Sequence, residues 1–265
     1  MGIATEVDTE IADDWHAALA ALAWEVEAGA DEAIGDAPIN RYELATETPK
    51  PLPAKASSPP PTPDAGADPV AVAQAAAAGA ATLEALREAI AGFDLCDLKK
   101  GARNTVFADG NPKARVLILG EAPGAEEDRE GRPFVGRAGQ LLDRMFAAIS
   151  LSRGSPDAEN ALYITNVMPW RPPGNRDPEP AEIAMMLPFV QRHIALVDPL
   201  VIVVLGNTPL FALTGTRGIL RARGHWSQAL GKPLLPMTHP AYLLRNPSAK
   251  REAWADLLSL QQRLR

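Results

Sequence analysis

Residues 116–139 read VLILGEAPGAEEDREGRPFVGRAG, and the reading of this stretch decides the fold. The apolar run Val116, Leu117, Ile118, Leu119 stops at Gly120, where an acidic, glycine-punctuated loop begins. The loop feeds the amphipathic segment Leu141 to Ile149. Strand, loop and helix in that order are how α/β proteins set a site at the carboxyl end of a strand.

Working outward, the same layout recurs three times. Arg115 to Leu119 is the first predicted strand and Gln140 to Ile149 its helix. Tyr163 to Val167 is the second strand, and the stiff loop Pro169 to Pro180 (PWRPPGNRDPEP) leads into a helix from Ala181 to Leu196. Leu200 to Leu205 is the third strand, followed by a helix from Asn207 to Leu213. Leu234 to Met237 is a short fourth strand, and a helix from Ser248 to about Leu264 closes the chain. Four βα units in a row predict a three-layer α/β/α fold around a central four-stranded parallel sheet. The polar residues at the strand ends, Glu121, Asn166, Asn207 and His239, then converge on one edge of that sheet, the usual place for a ligand.

Upstream, the chain changes character. Glu10 to Ala30 has Ile11, Trp15, Ala18, Leu22 and Val26 at helical spacing, with Asp8 or Thr9 to cap it. Its apolar stripe either docks on the main domain or binds another protein. Residues 48–69 carry eight prolines among Ala, Ser and Asp, a composition that cannot form a packed core and reads as an extended linker. Val70 to Phe93 is alanine-rich, with Leu83, Leu86, Ile90 and Phe93 at helical spacing, and is expected as one helix against the main domain. The division expected is therefore an acidic helical segment (1–46), a proline-rich linker (47–69) and an α/β/α domain (70–265).

Composition bounds the class of protein. Of 265 residues, 46% are apolar, enough for a buried core, and no apolar run approaches the roughly 18 residues that span a bilayer. The N-terminus, MGIATEVDTEIADDW, is acidic and unlike a secretory signal, so an intracellular, cytoplasmic, monomeric protein without a membrane partner is expected. The single cysteine, Cys96, excludes an internal disulfide and a multi-cysteine metal site. The net charge of −7 is unevenly spread. Residues 1–90 hold 4 of the 26 basic and 16 of the 33 acidic residues, which leaves 22 basic against 17 acidic, a net of +5, for the remainder. That balance permits contact with phosphates without requiring it.

The loop after the first strand has no Gly-Lys-Ser/Thr, which excludes a P-loop, and its Glu-Glu-Asp run would repel a pyrophosphate. Glu121, Glu126, Glu127 and Asp128 either orient or deprotonate a water and offset a cationic transition state, or they cap a helix and stand in solvent. Phe134 either joins a core or offers a ring for stacking on a planar base. Asn166 carries both a donor and an acceptor at a strand end, suited to reading an imide edge or to stitching a turn. His239, before Pro240, is either a satisfied structural histidine or part of the site.

Three segments together resemble one family. Gly120-Glu121-Ala122-Pro123-Gly124-Ala125-Glu126-Glu127-Asp128 with Gly131-Arg132-Pro133-Phe134-Val135-Gly136 is similar to the first motif of the family-four, thermostable-type uracil-DNA glycosylases. Tyr163-Ile164-Thr165-Asn166-Val167 followed by Arg171-Pro172-Pro173-Gly174-Asn175-Arg176 is similar to their central motif, and His239-Pro240-Ala241-Tyr242-Leu243-Leu244-Arg245 to their last. The resemblance runs from about Phe93 to Leu264 and leaves residues 1–90 uncovered.

The resemblance implies a DNA repair enzyme of base excision, which flips uracil out of DNA and cuts its N-glycosidic bond with water to leave an abasic site. Phe134 would stack on the extruded ring. Asn166 would bond N3–H and O4, and Ala122 would give a backbone group to the base edge. His239 would donate to O2, while Glu121 and Glu127 would hold the water and offset the charge on the sugar. Leu243 and Leu244 would wedge into the gap in the DNA, with Arg245 on a phosphate. Members of this family usually hold an iron–sulfur cluster on four cysteines, and the matching positions are Phe93, Cys96, Trp170 and Met186. One thiolate cannot replace about four, so no cluster and no other cofactor is expected. The other readings are a nucleotide hydrolase, against which the missing phosphate-loop lysine argues, and a non-catalytic module for a DNA lesion or a protein partner. Only the acidic leader and the linker support the last.

Overall fold

The computed structural model describes residues 68–265 and the single helical position Leu19. The predicted helix 10–30, apart from Leu19, and the linker up to residue 67 lie outside the described residues, as does whatever the leader binds. All the architecture that follows belongs to the unit Pro63–Arg265.

Six strands form one mixed sheet: β1 (Ala108–Gly110), β2 (Val116–Gly120), β3 (Leu162–Asn166), β4 (Val201–Leu205), β5 (Ser227–Ala229) and β6 (Lys232–Met237), in the order β1-β3-β2-β4-β6-β5. The neighbours β3, β2, β4 and β6 run parallel, whereas β1 and β5 pair antiparallel at the two edges. The expected four-stranded sheet is thus corrected to six. Each edge strand has three residues, ADG and SQA, with neither alternation nor β-branched side chains, so nothing in them signals a strand.

Every residue of β2, β3 and β4 is buried, as the unbroken apolar runs require of parallel strands covered on both faces. Alternation sorts the side chains into two cores. Leu117, Leu119, Ile202 and Val204 join Leu86, Ile183 and Phe189 on one face, while Val116, Ile118, Val201 and Val203 join Leu142, Phe146 and Leu257 on the other. The helices supplying the first face are α1 (Pro69–Gly79), α2 (Leu83–Ala91) and α6 (Pro180–Val197). Those supplying the second are α5 (Arg137–Ala147) and α10 (Lys250–Leu264).

Three local expectations change. The single helix over 70–93 is two, because Thr82 turns extended and its hydroxyl accepts the Ala85 N–H at 3.1 Å to start the second. Asp68 caps the first helix in the same way through Val70, so that helix starts at Pro69, one residue before the expected Val70. Between β2 and α5, the acidic run is itself a short helix, α4 (Ala125–Glu130), stopped by Gly131 at φ 71°.

The chain leaves β2 for β3 on one side, crosses back to β4 on the other, and moves on to β6. Connections therefore diverge above the carboxyl ends of β2 and β4, which opens a crevice there.

Candidate active site

The crevice is a pocket of about 490 Å³. Glu121 and Ala122 enter it just after β2, Asn166 from the end of β3, Gly206 after β4, and His239 after β6. Glu127 comes from α4, Phe134 from the loop before α5, and Arg245 from the end of a short helix, α9 (Pro240–Arg245). Segments more than 100 residues apart in sequence therefore meet around one hole.

Asn166 is 7% exposed, and its side-chain oxygen is buried without a hydrogen-bond partner. Such an orphan is uncommon in a native fold and marks an acceptor left for something that arrives. Asn166 lies in register with Gly120 on β2. A Cβ on Gly120 would fall 2.2 Å from the Asn166 oxygen and 2.6 Å from the Phe134 ring. Gly120 thus makes room for both side chains beside the pocket, a role beyond the strand stop and first motif residue that the sequence reading gave it.

Phe134 holds a left-handed backbone at φ 53°, which costs a non-glycine residue roughly 1–3 kcal/mol. The residue is 7% exposed; its ring packs into the core on one side and stacks 5.5 Å from the His239 ring at an interplanar angle of 30°, and both residues line the pocket. The backbone N–H of Ala241, which can only donate, points at His239 Nδ1 at 3.1 Å. Nδ1 therefore accepts, and the proton of the neutral ring sits on Nε2. Burial, helped by the Arg245 charge, pushes the His239 pKa down to about 4, so the ring is neutral at physiological pH.

The two candidate carboxylates differ. Glu127 has both oxygens occupied: one accepts from Gly124 N at 3.1 Å, the other from Val135 N and Gly136 N at 3.0 and 2.9 Å. It caps α4 and ties down the Phe134 loop. Glu121 has one oxygen held by the Thr208 hydroxyl at 2.6 Å. Burial raises the Glu121 pKa above the usual carboxylate range, and the Thr208 bond opposes that shift. Thr208 is a buried residue that sequence reading missed, having singled out its neighbour Asn207. Asn207 turns away to accept from Gly218 N and Ile219 N. Asp128 is structural as well, since it accepts from the backbone of Arg103 and Asn104 at 2.8 and 3.1 Å.

At the rim of the pocket Arg245 is exposed, and its neighbour Leu244 is half-buried. Leu243 corrects the expected pair of wedge residues: it is 0% exposed and packs with Leu141 and Ala253. On the last turn of a six-residue helix only one side of the chain can face outward, and Leu243 is on the inner side. The stiff loop supplies a further wall through Pro172, Asn175, Arg176 and Asp177. Arg176 forks onto Glu182 at 2.9 and 2.6 Å and holds that carboxyl below its ordinary range.

The four positions matched to cluster ligands do not fit an iron–sulfur cluster. Phe93, Cys96, Trp170 and Met186 are all buried in the same apolar core. Phe93 meets Phe189 edge-on at 5.3 Å, and the Trp170 indole donates to the Thr105 hydroxyl at 3.1 Å. One thiol, pushed by burial toward its protonated form, remains where about four thiolates are needed. Among the described residues no cluster of His, Cys, Asp and Glu could hold a metal ion, and no helix is long and apolar enough to cross a membrane.

Residues 107–258 match the family described as the uracil DNA glycosylase superfamily. A type-4 uracil-DNA glycosylase of Thermotoga maritima is 40% identical over 169 residues, 63% of this chain and 85% of that protein. Those of Sulfurisphaera tokodaii and Pyrobaculum aerophilum are 36% and 38% identical over 191 and 184 residues, covering 84% and 91% of their own lengths. A match spanning most of the described domain, with its motifs gathered on one pocket, leaves one conclusion: this chain belongs to the uracil DNA glycosylase superfamily, alongside its type-4 members.

Proposed function

We infer that the pocket over β2 and β4 is where this uracil-DNA glycosylase hydrolyses the bond between uracil and deoxyribose in DNA, as a step of base excision repair. The observation that carries the reading is the meeting of Phe134, Asn166, His239 and Glu121 around one cavity. The base leaves the stack and enters the pocket, at a cost of a few kcal/mol that is smaller for a mispaired base. Phe134 covers its face. Asn166 pairs with N3–H and O4, and the unpartnered oxygen supports this role. Cytosine, with an acceptor at N3 and a donor at C4, would leave both amide groups unpaired in a buried place, which is how a site rejects a near-isostere. Ala122 offers a backbone group to the same edge.

As the C1′–N1 bond breaks, its electrons pass into the ring and negative charge grows on O2. The Nε2–H of the neutral His239 donates to that oxygen. A water attacks C1′ and leaves a hydroxyl on the abasic sugar, and the proton it gives up neutralises the departing uracil anion through solvent. The hydrogen-bond inventory favours Glu121 for holding that water, with Glu127 shaping the loop beside it. Leu244 and Arg245, at the rim, meet the displaced strand and a phosphate.

An oligonucleotide bearing one uracil, treated with the protein and then hot alkali, should break at that site without added metal or nucleotide. An intact strand, or equal cleavage with His239→Ala, would overturn the reading.

A further inference from the structure

Arg153 lies outside the pocket and outside every motif quoted above, in the turn after α5. Its guanidinium is nonetheless committed to the backbone that presents Phe134. Nη1 donates to the Pro133 carbonyl at 2.8 Å and Nη2 to the Phe134 carbonyl at 2.9 Å. Behind it, Asp109 on β1 accepts from Nη1 at 3.1 Å and Asp143 on α5 from Nε at 2.9 Å, so two elements aim the fork. The side chain is 15% exposed.

This grip is coupled to the shape of the loop. In extended backbone, successive carbonyls point to opposite edges of the strand. The left-handed turn at Phe134 brings both to one side, where one planar fork can hold them. From the following residues Glu127 holds the N–H groups of Val135 and Gly136. The third side is closed by Gly139, where a Cβ would fall 1.8 Å from the Phe134 carbonyl oxygen.

We propose that Arg153 is a positioning residue for base capture, holding the Phe134 loop in its left-handed form so that the ring is in place before a base arrives. Ordering that would otherwise be lost on binding is then already present in the free protein. The inference rests on the reading that Phe134 stacks on the extruded base. It also explains why an arginine is required: lysine would supply the charge between Asp109 and Asp143 but not two parallel bonds to consecutive carbonyls.

The test compares wild type, Arg153→Lys, Arg153→Gln and Phe134→Ala. Each is measured for single-turnover excision at saturating DNA, inhibition by free uracil, affinity for abasic-site DNA and melting temperature. Both Arg153 variants should slow excision, by on the order of 10²-fold as for a comparable misplacement of a binding group, and weaken inhibition by uracil. Affinity for abasic DNA should stay at the wild-type value, a pattern that general damage would not produce. Arg153→Lys keeps the charge and so remains decisive if Arg153→Gln does not fold. Wild-type excision and uracil inhibition in Arg153→Lys would overturn the proposal, as would a parallel loss of abasic-DNA binding. Wild-type excision by Phe134→Ala would sink the stacking reading itself. An impaired Phe134→Ala beside normal Arg153 variants would sink the clamp alone.

Discussion

His193 and His239 make a useful pair, because both are desolvated imidazoles beside an aromatic ring and they differ in what they connect to. His193 is buried and His239 half-buried, both stand against a phenylalanine ring, and desolvation depresses both pKa values, to about 3 and about 4. His193, in the middle of α6, stacks on Phe107 at 4.5 Å and shares a 2.8 Å hydrogen bond between Nε2 and the Tyr163 hydroxyl. It is 4% exposed, and its neighbours are core side chains such as Phe107 and Tyr163. His239 stands at the end of a strand, with Nδ1 taken by the backbone and the other nitrogen left for the pocket. Burial alone therefore does not make a histidine functional. What matters is whether one nitrogen is left without a protein partner and can reach an arriving ligand.

The comparison predicts its own hierarchy of effects. His239→Ala should lower single-turnover excision by on the order of 10²–10³-fold, the usual cost of removing a donor to a developing oxyanion, with a small loss of stability from the missing cap on α9. Glu121→Gln should cost on the order of 10²-fold in the same assay, and Glu127→Gln should lower the melting temperature more than it slows chemistry. A Glu127→Gln protein that melts normally but excises as slowly as Glu121→Gln would reverse the two roles. His193→Ala should leave excision rates intact while destabilising the fold by about 3 kcal/mol, from the cavity and the unpaired Tyr163 hydroxyl, as denaturant titration would show.

The smallest effect is one of pH. In the unfolded chain each histidine takes up a proton below about pH 6.5. In the folded chain His239 waits until about 4 and His193 until about 3. The unfolded state thus binds more protons in that window, and stability falls as pH drops from about 6.5 toward 3, with the full contribution present above 6.5. Removing His193 should make this slope shallower, most clearly between about pH 6.5 and 5, above the range where carboxylates such as Glu182 titrate. An unchanged slope would mean that His193 is not held neutral.

Much of this was legible in the residues. The runs VLIL and VIVVL announce covered parallel strands, and the polar residues that follow them mark where a ligand binds. Glu121, Asn166 and His239 stand out as polar residues at strand ends, and Phe134, in a loop, through the motif it shares with the family-four glycosylases. Other features had no signal. The edge strands ADG and SQA carry no pattern, and the pairing that creates them comes from their neighbours. Leu243 reads as well as Leu244 for a wedge, and only the packing of α9 against Leu141 puts one of them inside.

The order of apolar runs and polar endings by itself determined an α/β protein with a pocket at one sheet edge, because side-chain period and strand polarity are properties of the local chain. Which carboxylate is left with an oxygen to offer was decided by the tertiary structure. So was the left-handed backbone of Phe134, and so was the proton on His239 Nε2. Each depends on a hydrogen-bond partner set by the folded backbone: Thr208, 87 positions from Glu121, Arg153, 19 from Phe134, and the Ala241 amide at the start of α9. Partners of that kind are fixed by folding, and no reading along the chain can assign them.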